Sequence, residues 1–186
     1  MNVYDFDNTI YMGDSSVDFW LYCLKKKPII IVLLPYQVWM AILYKIKLID
    51  KVRFKEAFFC FLRLLPDTEN TVEHFWNRNG NKIKKWYKKK QKEDDIVISA
   101  SPYFLLIEIC GRIGVSNLIA TDVDMVTGKF RGPNCYGDEK VNRFLKLYGS
   151  ETVDEFYSDS YSDYPMRKMA LRGYSVRGER IVDWII

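Results

Sequence analysis

The chain holds a single histidine, His74, among 186 residues. Mechanisms of the Ser-His-Asp or Cys-His kind therefore share one candidate base. That residue sits in Thr71-Val72-Glu73-His74, which reads as the opening of a helix, so a place in the scaffold is expected for it. Cysteine is scarce and scattered: Cys23, Cys60, Cys110 and Cys135 show no paired spacing. This argues against a disulfide framework or a zinc site and predicts buried thiols in a reducing, cytosolic setting. The first residues lack a basic stretch followed by an apolar one, so no secretory leader is expected. A net charge of +4 favours anionic partners without implying nucleic acid.

Long uncharged runs are also few. The main one, Ile29 to Tyr44 within Pro28–Leu48, falls short of the about 20 apolar residues a span requires. Pro35 and Gln37 interrupt it, and Lys45 and Lys47 follow. A buried or interfacial helix is expected there. Flanked by Lys25 to Lys27 and Lys45, it would suit peripheral contact with an anionic membrane. The basic run Lys82 to Lys92, with Trp86 and Tyr87 inside it, would add to that attraction, although its simplest reading is a solvated helix face.

What is present falls into three zones. Val3 to Phe6 reads as a strand ending in a polar loop. Ser15 to Lys92 has helical character: Phe19, Trp20, Cys23 and Leu24 recur at helical spacing, as do Phe54, Ala57, Phe58, Phe61 and Leu62, with Asp50 a possible N-cap. From Asp95 onward strands and helices alternate. Strands are expected at Asp95–Ser99, Asn117–Thr121, Val153–Tyr157 and Tyr174–Val176, helices at Tyr103–Ile113 and Glu139–Tyr148, and a hairpin at Met125–Arg131. This alternation predicts an α/β fold, a parallel sheet covered by helices on both faces. The catalytic core would comprise residues 1–14 and 93–186, and residues 15–92 an inserted helical cap.

The ionisable residues gather at the expected strand ends. Asp5 and Asp7 follow the first strand, where open parallel sheets bind ligands. On a regular strand they would share one face, whereas a bend after Asp5 would send them to opposite sides of a bound group. Asp159 and Asp163 follow another strand, and converging carboxylates are how Mg²⁺ is usually held. Ser99 ends a third strand with a hydroxyl to offer a phosphate oxygen. Lys140, near a helix start after Gly137, offers a point charge.

Asp5-Phe-Asp-Asn-Thr9, Ile98-Ser99-Ala-Ser101, Gly137-Asp-Glu-Lys140 and Tyr157-Ser-Asp159-Ser-Tyr-Ser-Asp163 resemble, in order, the four motifs of haloacid dehalogenase-like hydrolases. The subgroup containing phosphoserine phosphatase, with its helical cap between the first two motifs, is the nearer match. The resemblance covers nearly the whole chain. It implies a three-layer α/β/α Rossmann-like fold and a Mg²⁺-dependent phosphatase acting on a small phosphomonoester. Asp5 would attack phosphorus to form an aspartyl phosphate, and Asp7 would serve as general acid and then base. Asp5, the Asp7 carbonyl and Asp159 would hold Mg²⁺, with Asp163 acting directly or through water. Ser99, Lys140 and the main-chain N–H groups of Phe6, Asp7 and Ala100 would hold the phosphoryl oxygens.

The chain departs from the phosphoserine phosphatase pattern in two places. Ser99-Ala100-Ser101 stands where Ser-Gly-Gly is usual, and Ser158-Asp159-Ser160 where Gly-Asp-Gly is usual. Both spare the catalytic groups and weaken the case for phosphoserine as substrate. The apolar helical zone suggests an alternative, a lipid-linked phosphate such as phosphatidylglycerophosphate at a membrane surface. A phosphotransferase and a non-catalytic phosphate- or partner-binding module are the other readings. Elsewhere, Thr9 is expected to buttress the first loop, Asp122 and Asp124 to form a turn, Asp163-Tyr-Pro to be able to start one, and Arg53 to lie exposed or reach an anionic substrate.

Overall fold

The computed structural model describes residues 1–185. A six-stranded sheet runs β3-β2-β1-β4-β5-β6, comprising β1 (Asn2–Tyr4), β2 (Ile96–Pro102), β3 (Asn117–Thr121), β4 (Val153–Ser158), β5 (Ala170–Arg177) and β6 (Arg180–Asp183). The first five strands are parallel, and β6 pairs antiparallel to β5. Strand residues alternate between two cores, as a period of two requires. Tyr4, Val97, Ala120 and Tyr157 face one core. Val3, Ile96, Ile98, Ile119 and Phe156 face the other.

The second core is closed by α7 (Asp138–Tyr148) and α8 (Tyr164–Met169), which contribute Phe144 and Met166. The first is closed by helices from the region between β1 and β2, joined by α6 (Tyr103–Arg112). That region holds α1 (Ser15–Lys26), α2 (Leu34–Lys45), α3 (Lys51–Phe59), α4 (Thr68–Asn79) and α5 (Lys85–Lys90). Three of these helices start at aspartates whose carboxylates accept a first-turn N–H: Asp14 from Val17, Asp50 from Arg53, and Asp67 from Asn70. Phe19, Phe75 and Trp76 then form a buried aromatic group, with Trp76 Nε1 donating to the Leu105 carbonyl at 2.6 Å.

A loop of the sheet domain ties this helical region down. Asp124 folds it into a turn, as expected, by accepting the N–H groups of Val126 and Thr127 and pairing with Arg131. The hairpin expected at Met125–Arg131 reduces to one antiparallel bridge, Val123 with Phe130. Thr68 Oγ1 donates to the Met125 carbonyl at 2.9 Å, and Phe130 N–H donates to Glu56 at 3.0 Å. Gly128 adopts φ +73°, and its backbone passes so close to α3 that a Cβ would lie 2.4 Å from the Phe59 carbonyl oxygen.

Several expectations need correction. Tyr174–Val176 belongs to the longer strand β5, and an unexpected strand follows it, because Gly178 at φ +61° turns the chain back into β6. Pro28–Leu48 is not a buried helix: a 3₁₀ turn (Pro28–Leu33) leads into α2, and most of its apolar side chains are exposed. The Lys82–Lys92 run is not wholly a solvated face either. Lys84 is buried and donates to the Asn8 carbonyl, bracing the loop after β1, while Tyr87 joins the core. Cys60 is half-buried, whereas the other three thiols are buried; all four are free.

Candidate active site

The strand order reverses at β1, which lies between β2 and β4. Crevices at such a point, beyond the carboxyl ends of the strands, are where open α/β sheets bind ligands. A cavity of about 340 Å³ lies there, lined by Asp5, Asp7, Ser99, Ala100, Lys140, Asp159 and Asp163. The expected site residues are thus brought to one place from four separate segments.

β1 ends at Tyr4, so Asp5 and Asp7 lie on a bend and not on a regular strand. Asn8 completes the bend at φ 55°, a left-handed conformation that asparagine tolerates well. The two carboxylates consequently turn to different partners. Asp5 accepts from Lys140 Nζ at 2.7 Å, whereas Asp7 accepts from Ser15 N–H at 2.7 Å and from the Ser101 hydroxyl. Ser15 opens α1, so the Asp7 carboxylate also faces a helix N-terminus, where negative charge is favoured.

Lys140 is buried in the first turn of α7 and bridges Asp5 and Asp163, at 2.7 and 2.8 Å. The Ser158 hydroxyl donates to the same Asp163 oxygen at 2.7 Å. Asp163 flanks α8 without capping it, its carboxylate being committed to Lys140, so its part extends beyond starting a turn. Asp159 stands exposed at the pocket edge. Its N–H donates to Thr9 Oγ1 at 3.0 Å, and Thr9 Oγ1 lies 3.4 Å from Asp5, so Thr9 buttresses both acidic loops. The register of β2 shifts between Ser99 and Pro102, and this irregularity re-aims the end of the strand. Ser99 Oγ accepts the Ser101 N–H at 3.1 Å.

Burial sets the proton affinities. It pushes the Asp5 carboxyl up to about 8 against the pull of Lys140, with the Asp163 charge adding to the rise. It pushes Asp7 up to about 6, helped by the charge of Asp14 and opposed by the Ser101 and Ser15 hydrogen bonds. A neighbouring carboxylate, that of Asp14, contributes to the rise at Asp7, but desolvation leads. Burial also disfavours charge on Lys140, yet Asp5 and Asp163 overcome it and hold the ammonium above its usual range.

Sequence reasoning missed Lys55. It reaches from α3 to the end of β2, donating to the Ala100 carbonyl at 2.8 Å and to Asn134 Oδ1 at 3.1 Å. Burial, followed by the charge of Lys51, lowers it to about 8. Helical spacing marks Lys55 as neither core nor motif, so no signal in the chain singled it out. Arg53, two residues earlier on α3, is exposed and does not line the pocket. His74 is exposed on α4, with Nδ1 against the Asn70 carbonyl at 2.8 Å, also outside the pocket.

The donors suit a hard divalent cation, since all are oxygens. Five carboxylates, of Asp5, Asp7, Asp14, Asp159 and Asp163, line the pocket against the ammoniums of Lys51, Lys55 and Lys140. An anionic phosphoryl group entering this excess of negative charge needs further positive charge beside it. Among the described residues, however, no three His, Cys, Asp or Glu side chains already form a metal cage. Lys140 occupies the position between Asp5 and Asp163.

The fold recurs among solved structures. A protein of unknown function from Bordetella pertussis Tohama I superposes with a TM-score of 0.73 at 18% identity, covering 93% of this chain and 87% of that one. A phosphoserine phosphohydrolase-like protein from Francisella tularensis subsp. tularensis SCHU S4 gives 0.57 at 19% identity, covering 93% and 86%. A substrate-bound phosphoserine phosphatase gives 0.55 at 14% identity, covering 92% and 82%. No curated protein matches the chain in sequence. The family model of haloacid dehalogenase-like hydrolases matches residues 3–168, nearly the full length, and the chain belongs to that family.

Proposed function

We propose that this hydrolase is a Mg²⁺-dependent phosphatase that cleaves phosphomonoesters through an aspartyl phosphate on Asp5. The observation that carries this reading is the division of labour between Asp5 and Asp7. Two residues apart, one faces a buried ammonium and the other a hydroxyl and a helix N-terminus, at the switch point of the sheet. Burial alone leaves Asp5 the more basic of the two, so the roles require a divalent cation beside Asp5, which would favour its ionised form while Asp7 keeps its proton.

In the first half-reaction an Asp5 oxygen attacks phosphorus while the bond to the ester oxygen breaks. Asp7, protonated, gives its proton to that departing oxygen. In the second, Asp7 takes a proton from water, the water oxygen attacks phosphorus, and the bond to Asp5 breaks. Asp5 is then restored as a carboxylate and Asp7 as the protonated acid. Ser99 and Lys140 orient the phosphoryl oxygens, joined by the Ala100 N–H. Asp5, Asp159 and the Asp7 carbonyl would hold Mg²⁺, with Asp163 direct or through water; bound there, the ion supplies neutralisation of phosphoryl charge. Residues 15–92 act as the cap over a core of residues 1–14 and 93–186, excluding water from the reaction.

A second reading concerns the alcohol. Val17, Phe54, Phe58 and Phe59 line the pocket beside its charged groups, which favours an ester whose alcohol is apolar, including a lipid-linked one. Phosphate release from a panel of metabolite and lipid phosphomonoesters tests both readings, in Mg²⁺ and in chelator. Turnover confined to Mg²⁺ supports the mechanism, and the preferred ester identifies the alcohol. Turnover undiminished by chelator sinks the metal assignment.

A further inference from the structure

We infer that the 3₁₀ turn Pro28–Leu33 and helix α2 seat the protein on an anionic phospholipid bilayer, lying in the interface without crossing it. The inference rests on which face of α2 is turned outward, and it stands independently of the chemistry at Asp5.

The segment Pro28–Lys45 is apolar and long enough to cross a membrane by composition alone, and only 11% of it is buried. A core helix of a soluble domain shows the opposite. Its one polar side chain between Ile29 and Tyr44, apart from the tyrosine hydroxyls, is Gln37. Gln37 points inward, where Nε2 donates to the Phe58 carbonyl at 2.9 Å. Tyr44 packs on the same side, stacked on Phe54 at 5.0 Å. The outward side is left to Pro35, Val38, Trp39, Ile42 and Ile46, which recur at one-turn intervals with Val38 and Trp39 adjacent. Trp39 is 58% exposed and Val38 50%. A helix facing water carries its polar residues outward; this one carries its glutamine inward and exposes several large apolar side chains. Such patches mark an interaction surface.

Charge selects the occupant. Between Asp18 and Asp50 the chain has no acidic residue and five lysines, Lys25, Lys26, Lys27, Lys45 and Lys47. They bracket the apolar face at both ends. A second copy packed face to face would bring like charges together, because a twofold contact uses the same patch twice. Anionic headgroups around an apolar interior satisfy both features at once. Trp39 and Tyr36, both exposed, have the amphipathic character favoured at that depth.

Anchoring on the protein body rules for lying over spanning. Lys27 Nζ donates to the Leu64 carbonyl before the segment, and Gln37 holds its middle to α3. A crossing helix would break both. Phe54 stacks on Tyr44 and also lines the catalytic pocket, so α3 is the wall shared by the membrane helix and the site.

The test is co-sedimentation of the full chain with vesicles of phosphatidylcholine alone or mixed with phosphatidylglycerol. The wild type is expected to partition at least tenfold more strongly onto the mixed vesicles, and added salt should weaken it. Trp39→Ser combined with Ile42→Ser should lower binding at least tenfold while leaving thermal unfolding unchanged, since both side chains are exposed. The inference is overturned if folded wild type ignores anionic vesicles, or if the double variant binds as well as wild type. It is equally overturned if sedimentation equilibrium without lipid shows a dimer that the double variant dissolves, which would assign the face to a second copy.

Discussion

Lys140 Nζ lies 2.7 Å from Asp5 Oδ1 in a site where both side chains are almost wholly shielded from water. Removing one partner of such a pair leaves an uncompensated buried charge, which costs about 3–5 kcal/mol. Lys140→Met is therefore expected to lose about that much stability in urea unfolding with chelator present. Adding Asp5→Asn should recover part of the loss. The sign with pH follows from burial, which raises Asp5 above its unfolded value. Asp5 is pushed up to about 8 even beside Lys140 and rises further without it, so the loss should grow as pH rises past about 8 and shrink below it. A loss that is independent of pH and unaffected by Asp5→Asn would contradict the pairing.

In the proposed mechanism Asp7 carries a proton to assist departure of the alcohol. With its carboxyl raised to about 6 by burial and by Asp14, turnover of an alkyl phosphate should fall as pH rises through that value. An aryl phosphate, whose leaving group needs little protonation, should show a weaker fall. Asp7→Asn is expected to slow the alkyl ester by roughly 10²–10⁴-fold and the aryl ester less. Equal losses on the two substrates would remove Asp7 from the role of acid.

Lys55 joins the helical region to the end of β2 through the Ala100 carbonyl. Its ammonium is charged below about 8 and neutral above, because burial lowers it. Substrate KM in the wild type should therefore rise as pH increases through that value. Hydrogen bonds to charged groups contribute about 1.5–3 kcal/mol, so Lys55→Gln should raise KM roughly tenfold or more and flatten its pH dependence, with a smaller effect on kcat. Unchanged KM and pH dependence would reduce Lys55 to a structural tether.

Gly128 is where the sheet domain's loop meets α3. A side chain there would enter the space of the Phe59 carbonyl oxygen and sit at φ +73°. Gly128→Ala is expected to cost about 1–3 kcal/mol, seen as a lower denaturant midpoint. A variant as stable as wild type would show that this contact does not constrain the two parts.

The strand-end loops that line the pocket were legible in the chain because each follows a short apolar run and carries acids or a serine where a parallel sheet opens. Asp5, Asp7, Ser99, Asp159 and Asp163 meet in one cavity for that reason, and Lys140 joins them from the first turn of α7. Lys55 was not legible, because its role depends on a contact 45 residues away along the chain. β6 was missed because Arg180–Asp183 is exposed throughout and lacks an inward-facing apolar side. The segment at 28–48 was read as apolar, but composition could not say which face points outward. Gln37 settles that through a single tertiary hydrogen bond.

The central claim is that Asp5 is the nucleophile. It is tested most directly by acid-quenching the enzyme during turnover and locating the added phosphoryl group by peptide mass spectrometry. The account predicts a phosphoryl adduct on the peptide containing Asp5, formed in Mg²⁺, absent with chelator and absent in Asp5→Asn, which should also lack turnover. Turnover that continues in Asp5→Asn, or an adduct on another residue, would contradict it.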